Sequence, residues 1–384
     1  MNFELSDDQK KIQNIVADLA RREVEPIAQR LDAEGTFPTE LVKLVGKAGV
    51  MSIPFPEKYG GMGFGTFETV LALEQLARAD QSLAVTTMVS IATGLILMRY
   101  GTEAQIQRFL PDIITGERLG AIAGTEPQAG SDTAGFCTRA VQNQNGWSIT
   151  GEKAYITNAG TPITSYVMVL CRTKIENDHP QFTLFLVPSG TEGFIPGEKY
   201  KKMGWKSSDT RPLYFDNCNV NSDMIIGELH RGRHLLHKGY QQARLFLSAC
   251  SLGLAQASLD RALAYAKDRK AFGGTLGSLQ MIQEKIAEMA VLVDTARLLT
   301  YRAAVRSDAN KAELKELGMA KYWATEIGSR CADMAIQIHG GWGYMDDCAV
   351  SRYYRDNRVC TIGDGATEIQ KLIIARELGL DVRF

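Results

Sequence analysis

The segment Ile336-Gln-Ile-His-Gly-Gly-Trp-Gly-Tyr344, followed by Tyr354-Arg355-Asp356 and by Ile362-Gly-Asp-Gly-Ala-Thr-Glu-Ile-Gln-Lys-Leu-Ile-Ile-Ala-Arg376, carries most of the information in the chain. Gly340-Gly341 lack Cβ atoms, so their backbone admits close approach by something bulky and anionic. Asp364-Gly365 reads as a turn feeding an amphipathic helix, with Ile369, Leu372 and Ile373 on one face. A carboxylate just before a helix, beside a glycine cradle, is a place for an acid/base residue. Taken alone, Asp-Gly at a helix start serves more often as N-cap and turn former.

Working outward from this segment, the helical period extends back through Ala312–His339. A further long helix starts near Ser278, with Ile282, Ile286, Met289 and Val293 on one face. Long helices with short connections predict an antiparallel bundle. Between about 120 and 230 the texture changes to short apolar runs, Tyr166–Leu170 and Phe182–Val187. Turn signals such as Asn143-Gln-Asn-Gly146 and Asn158-Ala-Gly160 separate them. The first hundred residues read helical again: Ser6 and Gln9 form a capping box ahead of Ile12, Ile15, Val16 and Leu19. The expectation is a mainly α protein with a β-domain: an N-terminal helical domain at 1–118, a middle β-domain at 119–230 and a helical bundle at 231–384.

Composition narrows the function. The 384 residues carry 43 Lys+Arg against 44 Asp+Glu, which argues against a nucleic-acid or membrane-surface binder working through a basic field. Seven cysteines, odd in number and without a CxxC pair, predict a reduced, cytoplasmic protein. Residues 81–98 carry no charge, but Gln81, Ser82, Thr86, Thr87, Ser90 and Thr93 interrupt them, so a buried helix is expected rather than a membrane span. No strand–GxGxxG–helix unit is present, which argues against a Rossmann nicotinamide or flavin site. His230, His234 and His237 have no carboxylate or cysteine partner nearby in sequence, so no metal site is expected.

Three further motifs bear on chemistry. Thr125-Glu-Pro-Gln-Ala-Gly-Ser-Asp132 is a loop whose free N–H groups and Thr125 and Ser131 hydroxyls suit a polar ring edge or phosphate. Gly151-Glu-Lys-Ala-Tyr-Ile-Thr-Asn-Ala159 reads by itself as an ordinary alternating strand. Asp268-Arg-Lys-Ala-Phe-Gly273 with Gln280 offers Arg269, a rigid multi-donor cation suited to pyrophosphate. Together with Pro56-Glu-Lys-Tyr-Gly-Gly-Met-Gly63 and the C-terminal segment, these resemble the acyl-CoA dehydrogenase family along nearly the whole chain. The family patterns are TEPxAGSD, GxKxWITNA, and a QxxGGxGY end followed by an RD pair and a Tyr-Glu-Gly-Thr turn.

The resemblance implies an FAD-dependent enzyme that converts an acyl-CoA thioester to the 2-enoyl-CoA. Asp364, standing where the family has Glu, would abstract the α-proton while the β-hydrogen leaves as hydride to the flavin. The thioester oxygen would be held by backbone N–H and a flavin hydroxyl. Thr125, Ser131, Tyr155, Thr157, Thr367 and Glu368 would line FAD. Arg269, Phe272, Gln280, Gln337, Gly340 and Gly341 would complete the flavin site across a subunit boundary, implying a homotetramer. Ser131, Gly365 and Arg244 would meet substrate, Arg244 at the adenosine end of coenzyme A. Electron-transferring flavoprotein is the implied acceptor.

The departures matter. Asp364 is one methylene shorter than Glu, Ala366 replaces a Thr, Tyr155 replaces a Trp, and Gln241 stands where Asp is common. Ala243 occupies the alternative base position, and no carboxylate lies between Asp80 and Glu103, which leaves Asp364 as the candidate base. The short base, with a pocket expected along Thr86, Thr87, Ser90 and Met98, points to short, branched or alicyclic acyl groups, cyclohexane-1-carboxyl-CoA foremost. Rival readings are a short-chain linear acyl-CoA dehydrogenase, an enzyme like nitroalkane oxidase, and a catalytically degenerate scaffold.

Overall fold

A computed structural model describes residues 4–382. Six helices come first: α1 (Asp7–Leu19), α2 (Glu25–Glu34), α3 (Thr39–Lys47), α4 (Thr66–Ala79), α5 (Gln81–Tyr100) and α6 (Glu103–Thr115). Eight strands follow: β1 (Leu119–Ala123), β2 (Arg139–Asn143), β3 (Gly146–Thr157), β4 (Thr164–Glu176), β5 (His179–Pro188), β6 (Phe194–Pro196), β7 (Thr210–Val220) and β8 (Ile225–Ile226). The chain then forms α7 (Gly232–Asp268), a hairpin of β9 (Lys270–Ala271) and β10 (Gly274–Thr275), α8 (Gln280–Asp308), α9 (Leu314–His339), α10 (Ala349–Asn357) and α11 (Thr367–Glu377).

Local chemistry explains the helix ends. Ser6 and Gln9 exchange the reciprocal bonds of a capping box, which satisfies two orphan donors at the start of α1. The Asp80 side chain accepts from the Leu83 N–H at 3.0 Å and starts α5. α5 is apolar on nearly all sides, as a helix in the middle of a core must be. It is long and apolar enough to cross a membrane, but 83% of that stretch is buried inside the protein.

The eight-stranded sheet runs β6-β7-β3-β2-β4-β5-β8, with β1 parallel to β4. Within β3 the simple alternation expected from sequence breaks. Its pairing with β7 shifts register between Lys153 and Ile156, and Tyr155 takes φ +61°. This bulge turns Tyr155 outward, to 64% exposure, beside Tyr200 at 5.4 Å between ring centroids.

Helix α7 is the axle of the C-terminal bundle, packed against α4, α5, α8 and α9. A charged clasp holds the three parts of the chain together. Arg355 forks onto both oxygens of Asp32, at 2.6 and 3.2 Å, and its neighbour Asp356 accepts the Trp205 N–H at 2.6 Å. Trp205 Nε1 in turn donates to Gln81 at 2.9 Å, and Arg352 lies 3.4 Å from Asp80. The Arg-Asp pair that stands out in the sequence therefore ties the N-terminal helices and the β-domain to the bundle.

Candidate active site

The turn at Asp364 lies between α10 and α11, and its shape follows from its residues. Asp364 adopts φ +51° and Gly365 φ +91°. A Cβ on Gly365 would come within 2.5 Å of Gln370 Nε2, so only glycine fits. Gln370 Nε2 donates to the Gly365 carbonyl at 2.9 Å, and Lys321 Nζ reaches the same oxygen from α9 at 2.8 Å. The N-cap of α11 is Ala366, with no side-chain cap bond. Asp364 is thus not the helix cap: its carboxylate is left free of that duty and faces a cavity. The buried face of α11 is Thr367, Gln370 and Ile373, because Gln370 turns inward to close the turn, whereas Ile369 and Leu372 are only half-buried.

The cavity is lined by Met88, Val89, Ala92, Thr93 and Ile96 of α5, by Ile122, by Gly239, Tyr240 and Ala243 of α7, and by Asp364. Met98 and the hydroxyl residues expected to line it do not. Thr86, Thr87 and Ser90 lie on other faces of α5, where Thr86 bonds Ser208 and Ser90 holds the Gly120 N–H. A helix shows a cavity only one stripe, and here Met88, Val89, Ala92, Thr93 and Ile96 take it, with Thr93 the one hydroxyl among them.

Burial pushes the Asp364 carboxyl above the ordinary carboxylate range, against the opposing charges of Lys321 and Arg244. The same burial lowers Lys321 to about 8. Arg244 sits deep, its Nε 3.4 Å from the Asp364 carbonyl. Its sequence-based assignment was the far, adenosine end of coenzyme A; the structure seats it against the turn that carries Asp364. Sequence pattern alone also passed over Lys321 and Tyr240, which are buried by folding rather than marked by a motif.

A second surface begins where β1 ends. The Glu126 carboxylate accepts Lys153 Nζ at 2.8 Å and the N–H groups of Cys137 and Thr138 at 2.6 and 3.0 Å, and this buried cluster holds the 125–132 loop. The Ala154 N–H donates to the Thr125 carbonyl at 2.9 Å, joining the loop to the bulge of β3. The hydroxyls of Thr125 and Thr157 are half-buried and that of Ser131 is exposed, and among the described residues none has a partner. With the outward Tyr155 beside them, they fit the polar edge and face of a flavin. The Thr367 hydroxyl is engaged elsewhere, donating to Glu326 at 2.8 Å, while Glu368 is exposed.

The remaining candidates gather on the bundle surface. Arg269, Phe272, Gln280, Gln337, Gly340 and Gly341 are all exposed, Phe272 at 92% on the tip of the β9–β10 hairpin. Gly340 takes φ +61°, and a Cβ at either glycine would meet nothing within 4 Å. Among the described residues no cluster of three or more His, Cys, Asp or Glu is arranged to hold a metal; His230 Nδ1 is instead bonded to Thr173 at 2.8 Å.

Comparison with known proteins agrees with this layout. Models of the N-terminal, middle and C-terminal domains of acyl-CoA dehydrogenase match residues 6–117, 121–218 and 230–379. A probable acyl-CoA dehydrogenase of Bacillus subtilis, YngJ, is 39% identical over 98% of this chain and 100% of its own. The mitochondrial short-chain specific acyl-CoA dehydrogenase of Mus musculus is 37% identical over 98% of this chain and 91% of its own. Among solved structures, butyryl-CoA dehydrogenase of Megasphaera elsdenii superposes with a TM-score of 0.95 at 32% identity, covering 98% of this chain and 100% of that one. Three matched domains, full-length relatives and an acidic residue set in a cavity wall lead to one assignment: the chain belongs to the acyl-CoA dehydrogenase family of FAD-dependent oxidoreductases.

Proposed function

We propose that this acyl-CoA dehydrogenase oxidises a short, branched or alicyclic acyl thioester, with cyclohexane-1-carboxyl-CoA the best specific candidate and Asp364 the base. The observation that carries the reading is the placement of Asp364. It is the carboxylate in the wall of a cavity whose other lining residues are apolar apart from Thr93 and Tyr240, one backbone unit from a carbonyl clamped by Lys321. Met88, Val89, Ala92 and Ile96 confine that cavity, which suits a compact acyl group. Asp364 takes the α-proton, and its raised pKa makes the carboxylate a stronger proton acceptor than a solvated one. The charges of Arg244 and Lys321 oppose that rise, and their bonds to the Asp364 and Gly365 carbonyls hold the turn in position. Thr125, Ser131, Tyr155 and Thr157 hold the flavin, which when bound accepts the hydride from the β-carbon. A short aspartate asks the α-carbon to sit closer to the turn than a glutamate would.

The exposed set at Arg269, Phe272, Gln280, Gln337 and Gly340-Gly341 supports a homotetramer in which one subunit completes the flavin site of another. Electron-transferring flavoprotein is the proposed acceptor. A cytoplasmic location accords with seven unpaired cysteines. The test is anaerobic flavin bleaching by a panel of acyl-CoAs. Selective bleaching by the cyclohexane thioester, lost in Asp364→Ala with FAD still bound, is the expected result. Bleaching by linear thioesters alone refutes the alicyclic preference, and a fully active Asp364→Ala refutes the base.

A further inference from the structure

The first turns of α7 carry two rows of cations. At 100° per residue, Arg233, His237, Tyr240 and Arg244 share one narrow stripe. Arg231, His234 and Lys238 form a second row beside it. Arg231, Arg233, His234, His237 and Lys238 are all exposed, and residues 229–259 contain no Asp or Glu. Among the described residues, neither Arg231, Arg233 nor Lys238 forms an ion pair. The end of α5 packs close to the start of this region, where the Tyr100 carbonyl accepts the Gly227 N–H at 3.0 Å. In a chain with a net charge of −1, this is a local positive field.

The inner stripe leads to the base. Arg244 lies against the Asp364 turn, Tyr240 and Gly239 line the cavity, and His237 lies within electrostatic reach of Arg233, Arg244 and His234. From Arg244 back to Arg233 the helix rises about 16 Å. A 4′-phosphopantetheinyl arm has about fifteen bonds between its phosphorus and the α-carbon of its acyl group, and at the reach per bond of an extended backbone it spans roughly 17 Å. An arm whose α-carbon meets Asp364 therefore places its phosphate at Arg233, at the surface. That single phosphate satisfies the inner stripe. The outer row, Arg231, His234 and Lys238, is left facing solvent beyond it.

We propose that this outer row docks an acidic acyl carrier protein, whose phosphopantetheinyl arm enters along Arg233 and His237 and delivers its acyl thioester to Asp364. The inference rests on the dehydrogenase reading of the site and adds the carrier: the same two-electron oxidation, performed on a thioester held by a protein as well as by coenzyme A. Charge complementarity is the argument for this occupant. Carrier proteins present an acidic helix beside the serine that bears the arm, and a row of unpaired exposed cations at the arm's phosphate matches it.

The experiment uses FAD-loaded protein and three donors of the same butyryl or cyclohexane-1-carboxyl group: loaded carrier protein, CoA and pantetheine. Anaerobic flavin reduction is followed at low and at physiological salt. The carrier thioester is expected to react at least tenfold faster at limiting concentration than the pantetheine thioester, with a steep loss on adding salt. The triple variant Arg231→Glu, His234→Glu, Lys238→Glu should lower the carrier-to-CoA ratio of kcat/KM tenfold or more, through KM. Lys47→Glu, on α3 and exposed, serves as the control that leaves the ratio alone. A ratio unmoved by the triple variant, or an equal loss with CoA, overturns the proposal and gives the row to the nucleotide. Silence with every thioester while FAD is bound would instead sink the dehydrogenase reading and this one with it.

Discussion

Lys321 Nζ donates to the carbonyl of Gly365 at 2.8 Å, so a buried lysine on α9 holds the peptide that follows Asp364. The bond places a positive charge beside the carboxylate and anchors the turn from below. Burial moves the two groups in opposite directions, Asp364 up and Lys321 down to about 8. Each change disfavours the charged form, and their mutual attraction opposes both.

The pH dependence follows in sign. The base must be deprotonated, so kcat/KM climbs as pH rises through the elevated Asp364 pKa and then levels. Lys321, itself lowered to about 8, is the cation beside the base. Lys321→Met removes a cation that favours the carboxylate, so the limb moves to higher pH. A profile that stays in place would show that Lys321 does not act on Asp364.

Gly365→Ala forces a Cβ onto Gln370 Nε2 at a left-handed backbone position. The strain, of order 1–3 kcal/mol, falls on the turn that carries the base. We expect kcat to drop by roughly ten- to a hundredfold with FAD still bound, read by single-turnover flavin reduction. Unchanged turnover would mean that the turn has another conformation available.

Asp364→Glu lengthens the base by one methylene into a confined cavity. A misfit of that size changes discrimination by about 10- to 200-fold. The preference for cyclohexane-1-carboxyl-CoA over butyryl-CoA is expected to fall at least tenfold, as kcat/KM for both substrates will show. A preference that rises would contradict the close-approach argument.

Glu126→Ala strands Lys153, whose side chain is fully buried and whose other bond is to the Gly124 carbonyl at 2.9 Å. Breaking such a pair costs about 3–5 kcal/mol. Because the pair holds the 125–132 loop, melting temperature should fall and FAD should dissociate more readily on gel filtration. A variant that melts lower but keeps FAD would separate the loop from flavin binding.

Helical periods, caps and turn residues announced the three-part order of the chain, because these are local signals between residues a few positions apart. Ser6 with Gln9 is such a case: both bonds of the capping box lie within four residues. Asp364 was legible as a candidate base for the same reason, since its neighbours on both sides carry the pattern. What surrounds it depends on packing. Lys321 lies 44 residues before Gly365 and Arg244 lies 120 before Asp364, and nothing local in either stretch requires them to meet at one turn. The same holds for the stripe of α5 that lines the cavity. The sequence showed an uncharged helix, but which side faces the cavity was settled only when α4, α6 and β1 packed on its other faces. The bulge at Tyr155 follows this rule too: its ring points outward because the pairing of β3 with β7 slips there, a relation between strands that no single strand contains.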